Sequence, residues 1–246
     1  ETGVGAKFLR DIRPGEILSV TKKGVFSDTS LCTAKTAHCI FEYIYFARLD
    51  STIDQVNIYD ARIRAGAALA KSYPADADLV CGVPESGIPA AKGYAEASGI
   101  PFGFAFYKNN YVGRTFIKPT QKEREHSVRL KLNVLTSVVK GKRLVLVDDS
   151  IVRGTTISNL IHMLKEAGAV SVHVRISSPP FLYPCYFGTD IPSNQQLIAS
   201  AHSSEQIRAL TGADSLAYMK IEDLQSMVGS LPLCKACFDK QYPMEI

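Results

Sequence analysis

The sequence lacks any apolar run of the ~18 residues that a membrane-crossing helix needs, so none is expected. It also lacks a strong charge of either sign. Lys and Arg number 28 against 24 Asp and Glu, a formal net charge of +4. The longest basic cluster, Arg124 to Lys131, is interrupted by Glu125, His126 and Val128. A nucleic-acid binder concentrates its basic residues on one face or helix, so no nucleic-acid partner is expected. Glu1-Thr2-Gly3-Val4-Gly5 has neither the basic nor the apolar region of a secretory signal. There is no initiator Met, and the sequence reads as a processed product or an excised fragment. A cytoplasmic location is expected. Six cysteines in 246 residues are too few for a disulfide scaffold. In an intracellular protein the pair Cys234-Lys235-Ala236-Cys237 points to metal or redox chemistry instead. The five histidines show no ligand spacing, and there is no internal repeat or low-complexity tract.

What the sequence does have is a hydrophobic fraction of 46%, enough for one large domain or one domain with a small appendage. Residues 1 to about 30 read as short β segments, with turn signals at Arg13-Pro14-Gly15 and Lys22-Lys23-Gly24. From Asn57 the pattern alternates. Helices are expected over 58–72, 88–98 and 155–167, and strands over 79–83, 102–106, 143–147 and 170–176. The near-continuous apolar run before Asp148 suits a strand buried on both faces. Such alternation predicts a parallel α/β sheet. Ligands of these sheets sit beyond the carboxyl ends of the strands. That rule selects the turns after Val83, Phe106 and Val147. After Ser178-Pro179-Pro180, short helices are expected around 195–199, 204–210 and 221–228. The domain division expected is 1–30, 31–190 and 191–246.

The third of those turns carries the densest chemistry. The strand Leu144-Val145-Leu146-Val147 runs into Asp148-Asp149, then Ser150-Ile151-Val152-Arg153-Gly154-Thr155-Thr156 and a helix. Adjacent carboxylates repel, so they need a cation or hydroxyl donors. Mg²⁺ with a sugar diol supplies both. Gly154 allows a tight turn, Thr155 and Thr156 can cap the helix, and successive amides at a helix N-terminus form a phosphate site to which Arg153 adds charge.

The full string resembles the signature of the type I phosphoribosyltransferases, and its variant here is similar to that of the amidophosphoribosyltransferase family. The resemblance implies the type I phosphoribosyltransferase fold, a twisted parallel sheet flanked by helices, with a small Cys-containing helical appendage at the C-terminus. It implies that Asp148 and Asp149 hold the ribose hydroxyls and Mg²⁺ of 5-phosphoribosyl-1-pyrophosphate (PRPP), and that Ser150, Ile151, Val152, Arg153, Gly154, Thr155 and Thr156 cradle its 5-phosphate. Gly82-Val83-Pro84-Glu85-Ser86-Gly87 is similar to the family's pyrophosphate loop, so Glu85, Ser86 and Gly87 are expected to hold pyrophosphate, with the Ser86 hydroxyl a contact of its Mg²⁺. The stretch from Lys108 through Tyr111, Gly113 and Arg114 to Phe116 resembles the family's closing loop. It implies that Lys108, Tyr111 and Arg114 cover the leaving group. A segment as long as 107–125 without periodicity is uncommon in a compact domain unless it is functional.

The activity so implied is formation of 5-phosphoribosylamine and pyrophosphate from PRPP and ammonia, the opening step of purine biosynthesis. Residues 1–25 resemble the tail of the family's glutaminase domain, which delivers ammonia from glutamine. The rest of that domain, with its cysteine nucleophile, is not in the sequence. Purine nucleotides share the ribose 5-phosphate moiety and are expected as feedback inhibitors, and a homo-oligomer, tetramer or dimer, is implied. A base-dependent phosphoribosyltransferase would share the Asp-Asp turn but not the closing loop. From another class, a non-catalytic PRPP or nucleotide sensor of the same fold is the alternative.

By spacing alone, Cys-x-x-Cys could be redox, half a zinc site or coincidence. The contexts of Cys39, Cys185, Cys234 and Cys237 are similar to the cluster ligands of the family's iron–sulfur branch. Four thiolates suit a [4Fe–4S] cluster or tetrahedral Zn²⁺, and the resemblance favours the cluster. Cys32 and Cys81 are left over, Cys81 as a small buried residue of an apolar strand.

Overall fold

The computed structural model of the chain describes residues 5–32, 36–109, 132–189 and 193–244. Two compact units follow one another, Glu1–His38 and Cys39–Ile246. The first holds an antiparallel hairpin, Ile17–Thr21 with Gly24–Asp28, turned at Lys22-Lys23 as the sequence predicts. Its Glu16 carboxylate accepts from Arg10, from the Arg13 amide and from Ser27, which together hold it far below the usual carboxylate range.

The second unit is built on a four-stranded parallel sheet. Its strands lie side by side in the order Ser215–Tyr218, Ser171–Ile176, Arg143–Asp148 and Leu79–Gly82. Phe102 adds a single parallel bridge to Val80 beyond the last of them. The sheet residues alternate between two cores. Val80, Val145 and Val147 face one, with helices α1 (Ile58–Ser72) and α2 (Gly87–Ser98). Leu79, Leu144, Leu146, Val172 and Val174 face the other, with the Thr155–Glu166 helix. Both faces are therefore covered, which is why the central strands read as continuous apolar runs. α1 starts where the Asn57 side chain accepts from the Asp60 amide, and α2 ends at Gly99 in the left-handed conformation. Alanines 61, 65, 90 and 91 line the buried faces of these two helices and let them pack closely.

The structure departs from the sequence expectations at three points. The strand expected over 102–106 divides, because its ends have different partners. Phe102 bridges the sheet, whereas Phe106–Lys108 pairs antiparallel with Leu132–Val134, and Phe104 between them is exposed. The parallel edge strand Ser215–Tyr218 was not expected at all. It is only four residues long and three of them are half-buried, so its short apolar stretch gives little strand signal. Of the tail helices, the one expected over 204–210 forms over Ser204–Thr211, but the other two are broken: Asn194–Gln196 and Ile221–Leu224 are 3₁₀ turns that precede one-turn helices.

Candidate active site

The sheet register sets the site. Gly82 pairs with Val147, and Ile176 with Asp148, so three carboxyl ends stop at one level. Counting the Phe102 bridge, the strand order reverses direction between Leu79–Gly82 and Arg143–Asp148. That is the topological switch point at which doubly wound sheets bind ligands. The turn from Val83 to Gly87 and the pair Asp148-Asp149 leave the sheet there. The Val83 amide donates to the Val147 carbonyl at 2.9 Å, and the Ser177 amide to the Asp148 carbonyl at 2.9 Å. Gly87 opens α2 against the end of the central strand; a Cβ there would sit 2.5 Å from the Val147 carbonyl oxygen. Only glycine lets the two loops approach this closely.

Asp148 and Asp149 are 7% and 6% exposed. Asp148 accepts from the Asp149 amide at 2.9 Å. Asp149 accepts from the Ser86 hydroxyl at 2.6 Å through one oxygen and from the Ser150 hydroxyl through the other. Burial first, and the Asp149 charge second, push Asp148 well above the ordinary carboxylate range. Lys108, at the end of its strand, reaches Glu85 with Nζ 2.9 Å from Oε1. Ser86, Asp149 and Ser150, and Glu85 with Lys108, are thus brought together. Tyr111 and Arg114, with Gly113 and Phe116, lie outside the described residues.

The turn after the acidic pair is divided between core and solvent. Ile151 is buried, and the Val152 carbonyl accepts from the Ile198 amide at 2.8 Å. Arg153, Thr155 and Thr156 are exposed. Arg153 donates to Gln196 Oε1 at 2.6 Å, and the two residues line a groove with Leu197, Ile198 and His202. The threonines do not cap the helix, contrary to expectation. Gly154 takes the cap position at φ +82°, in the left-handed region, and no side-chain cap bond forms. The threonines are instead the first two helical residues, where free amides face out of the helix end.

Two residues beside the acidic pair escape a reading of motifs. Arg62 is 3% exposed; its Nε donates to the Tyr43 carbonyl and its Nη2 to the Ala47 carbonyl, both at 2.9 Å. It is also within electrostatic reach of Asp149 and Tyr45. Tyr45 sits in a π-helical turn, Glu42–Phe46, and its phenol is raised by burial and then by the charges of Asp149 and Asp148. π-Helical turns are rare and frequent at functional sites. A guanidinium on the buried stripe Ile58, Ala61, Arg62, Ala65, Leu69 is the signal that could have found Arg62.

The four cysteines expected to act together are neighbours. Cys237 is raised by burial and then by Cys39, Cys185 and Cys234, and Cys39 is raised by burial, with smaller effects of Cys234 and Cys185. Cys185 is pushed up by burial but pulled below its ordinary value overall by the amides of Phe187, Thr189 and Gly188; the Thr189 amide lies 3.5 Å from its sulfur. Among the described residues, no group of three or more His, Cys, Asp or Glu side chains converges as the ligands of one metal ion do. Cys81 is fully buried, donates to the Val145 carbonyl at 3.5 Å and has its thiol pushed up to about 12 by burial. Among the described residues no helix is long and apolar enough to cross a membrane.

Comparison with known proteins extends these local observations to the whole chain. It is 49% identical over 242 residues to the amidophosphoribosyltransferase of Methanothermobacter thermautotrophicus, covering 98% of this chain and 51% of that protein. It is 49% identical over 249 residues to that of Bacillus subtilis, covering 99% and 52%. The solved structure of glutamine PRPP amidotransferase from B. subtilis complexed with ADP and GMP superposes with a TM-score of 0.85 at 48% identity, over 99% of this chain and 55% of that one. The chain spans about half the length of the curated relatives it matches. Residues 52–177, from the strand before α1 to the end of the sheet's third carboxyl turn, match the phosphoribosyl transferase domain, and the chain belongs to that family.

Proposed function

We propose that this chain transfers the 5-phosphoribosyl group of PRPP to ammonia, forming 5-phosphoribosylamine and releasing pyrophosphate, as the opening step of purine biosynthesis. The observation that carries the reading is the junction at the switch point. There the Ser86 hydroxyl of one loop is bonded to the Asp149 carboxylate of the other. A ligand with a vicinal diol on one side and a pyrophosphate on the other spans such a junction. The high identity to amidophosphoribosyltransferases over nearly the whole chain supports the same reaction.

In this reading Asp148 and Asp149 hold the ribose hydroxyls, and Ser150 to Thr156 hold the 5-phosphate through the exposed amides of the turn. Glu85, Ser86 and Gly87 hold pyrophosphate, and Lys108, Tyr111 and Arg114 cover it. The donor set of two carboxylates and a hydroxyl, all hard oxygens, fits Mg²⁺ on Asp148, Asp149 and Ser86. When bound, Mg²⁺ neutralises charge on the donor and its leaving group. Displacement at the anomeric carbon develops positive charge on the ribose and negative charge on departing pyrophosphate. In this reading Lys108 and Arg114 supply positive charge to that growing negative charge. No covalent nucleophile is required. Fixing diol and phosphate leaves ammonia one face to attack, so much of the acceleration is positional. Glutamine is the natural source of ammonia, through a glutaminase domain. Purine nucleotides occupy the same site by their ribose 5-phosphate and inhibit.

The four cysteines Cys39, Cys185, Cys234 and Cys237 hold a [4Fe–4S] cluster that ties the C-terminal appendage to the π-helical turn. Amide donors around the Cys185 and Cys39 sulfurs suit thiolate ligands. Anaerobically purified protein should be brown with about four iron per chain; colourless protein with stoichiometric zinc would overturn the cluster.

The reaction is tested by pyrophosphate release from PRPP in Mg²⁺ and ammonium. Release that depends on ammonia supports it. PRPP binding without any release would leave a sensor of the same fold.

A further inference from the structure

A run of aromatic ring contacts leads from the four-thiol site to the π-helical turn, whose Tyr45 lies within electrostatic reach of Asp149 and Asp148. At the thiol end, the amides of Leu182 and Tyr183 both donate to the Cys237 carbonyl, at 3.0 and 3.1 Å. This fixes the segment that carries Phe181. The Phe181 ring packs on Phe238, next to Cys237, with centroids 5.0 Å apart, and edge-on against Phe41, also at 5.0 Å. Phe41 lies two residues after Cys39 and meets Phe46 edge-on at 5.0 Å and Tyr45 at 5.7 Å. Phe41, Phe181 and Phe238 are 4%, 1% and 1% exposed, so the middle of the stack is core, whereas Tyr45 and Phe46 at its far end are half-exposed. At its far end, Tyr45 feels the charges of Asp149 and Asp148, and Arg62 grips the Tyr43 and Ala47 carbonyls around the π-helical turn. Phe181 touches Phe238 on the Cys237 side and Phe41 on the Cys39 side of the thiol site.

We infer that Phe181 is a positioning residue for PRPP binding: it transmits the geometry of the four-thiol site through Phe41 to the π-helical turn beside Asp148 and Asp149. The inference rests on the reading of those thiols as a cluster site. Loss of a ligand at Cys237 releases the 181–183 segment, Phe41 loses its backing, and the turn beside the acidic pair shifts. Close packing makes such a path two-sided, because a ring removed at the middle has the same consequence as a ligand removed at the end.

The test is a double-mutant cycle on PRPP affinity, measured by equilibrium dialysis in Mg²⁺, with circular dichroism on each protein. Phe181→Leu and Cys237→Ser are each expected to weaken PRPP binding about tenfold, a typical coupling magnitude. The double variant is expected to bind no more weakly than the worse single one. Leu164→Ala, a comparable loss in the core on the opposite sheet face, serves as the control and should leave affinity within about twofold. If Phe181→Leu does not fold, Phe41→Leu replaces it in the same cycle. Fold losses that multiply, or an equal loss from Leu164→Ala, overturn the inference. Metal analysis of the wild-type protein separates the two failures. Bound metal with an unchanged affinity in Cys237→Ser refutes the coupling alone. A metal-free wild type removes the thiol reading, and the coupling with it.

Discussion

Replacing Lys108 by Ala distinguishes a structural lysine from one that stabilises a leaving group. The Lys108–Glu85 contact is 2.9 Å, but the two side chains keep 31% and 67% of their surface. Pairs this exposed contribute at most about 1 kcal/mol. A change of that size moves the melting temperature of a chain this long by only about 2–4 °C. If Lys108 instead faces charge developing on pyrophosphate, its loss removes a preorganised donor, which costs roughly 10²–10³ in kcat. The two effects therefore separate by scale. Ammonia-dependent pyrophosphate release at saturating PRPP measures the second, and a thermal melt the first. Lys108→Arg, which keeps the charge but not the point geometry, should recover part of the rate. Turnover of Lys108→Ala within about threefold of wild type would refute the reasoning, since no donor to a growing oxyanion is worth so little.

Three further outcomes follow from the same geometry. The carboxyl of Asp148 is raised in the folded chain, so without ligand the folded state binds more protons than the unfolded one above about pH 4. Stability of the unliganded protein should therefore fall as pH rises from there through the folded value; Asp148→Asn should flatten that dependence and raise the melting point at pH 7 while abolishing turnover, and a variant no more stable than wild type at pH 7 contradicts the assignment. Gly154→Ala places a side chain at φ +82° with its Cβ 2.8 Å from the Ile198 side chain. It should lower stability by roughly 1–2 kcal/mol and raise the Kd for PRPP, both measurable by melts with and without PRPP. Asp78→Asn removes the carboxylate that Arg143 holds down to about 2, at the amino end of the central strand and away from the site. The contribution of Asp78 is present above the unfolded value near pH 4 and lost as pH falls toward 2, so the variant should lose the corresponding acid dependence with PRPP affinity unchanged; a weakened affinity would contradict that separation.

Strands and helices with strong periodicity were legible. The run ending in Val147 could only be a strand covered on both faces, and Gly99 stops α2 where its left-handed conformation is observed. The Asp148-Asp149 turn and the Glu85-Ser86-Gly87 loop stand out in the sequence because each is local: their chemistry is written in consecutive residues. Contacts between distant residues were not. Nothing near Arg62 in sequence announces that it grips carbonyls 15 and 19 positions earlier, or that it approaches Asp149. The edge strand Ser215–Tyr218 is half-buried, and tertiary pairing rather than composition makes it a strand. The threonines after Gly154 show that a favoured capping residue yields when a left-handed glycine already turns the chain into the helix.

The site is arranged so that the unliganded state is the unfavourable one. Two carboxylates are buried side by side, and the hydroxyls of Ser86 and Ser150 satisfy the oxygens of Asp149 without supplying a positive charge. The buried guanidinium of Arg62 points two of its donors at the Tyr43 and Ala47 carbonyls, so its charge is felt at Asp149 while its hydrogen bonds are used elsewhere. A well-bonded Arg in that place would have stabilised the pair and closed it to other cations. A cation and a diol arriving together relieve the repulsion within the pair, and a diol alone does not. Binding should therefore be cooperative between Mg²⁺ and PRPP, each tightening the other by the same factor. Titration of PRPP at several Mg²⁺ concentrations tests this directly, and a PRPP affinity independent of Mg²⁺ would leave the buried pair without a reason to be there.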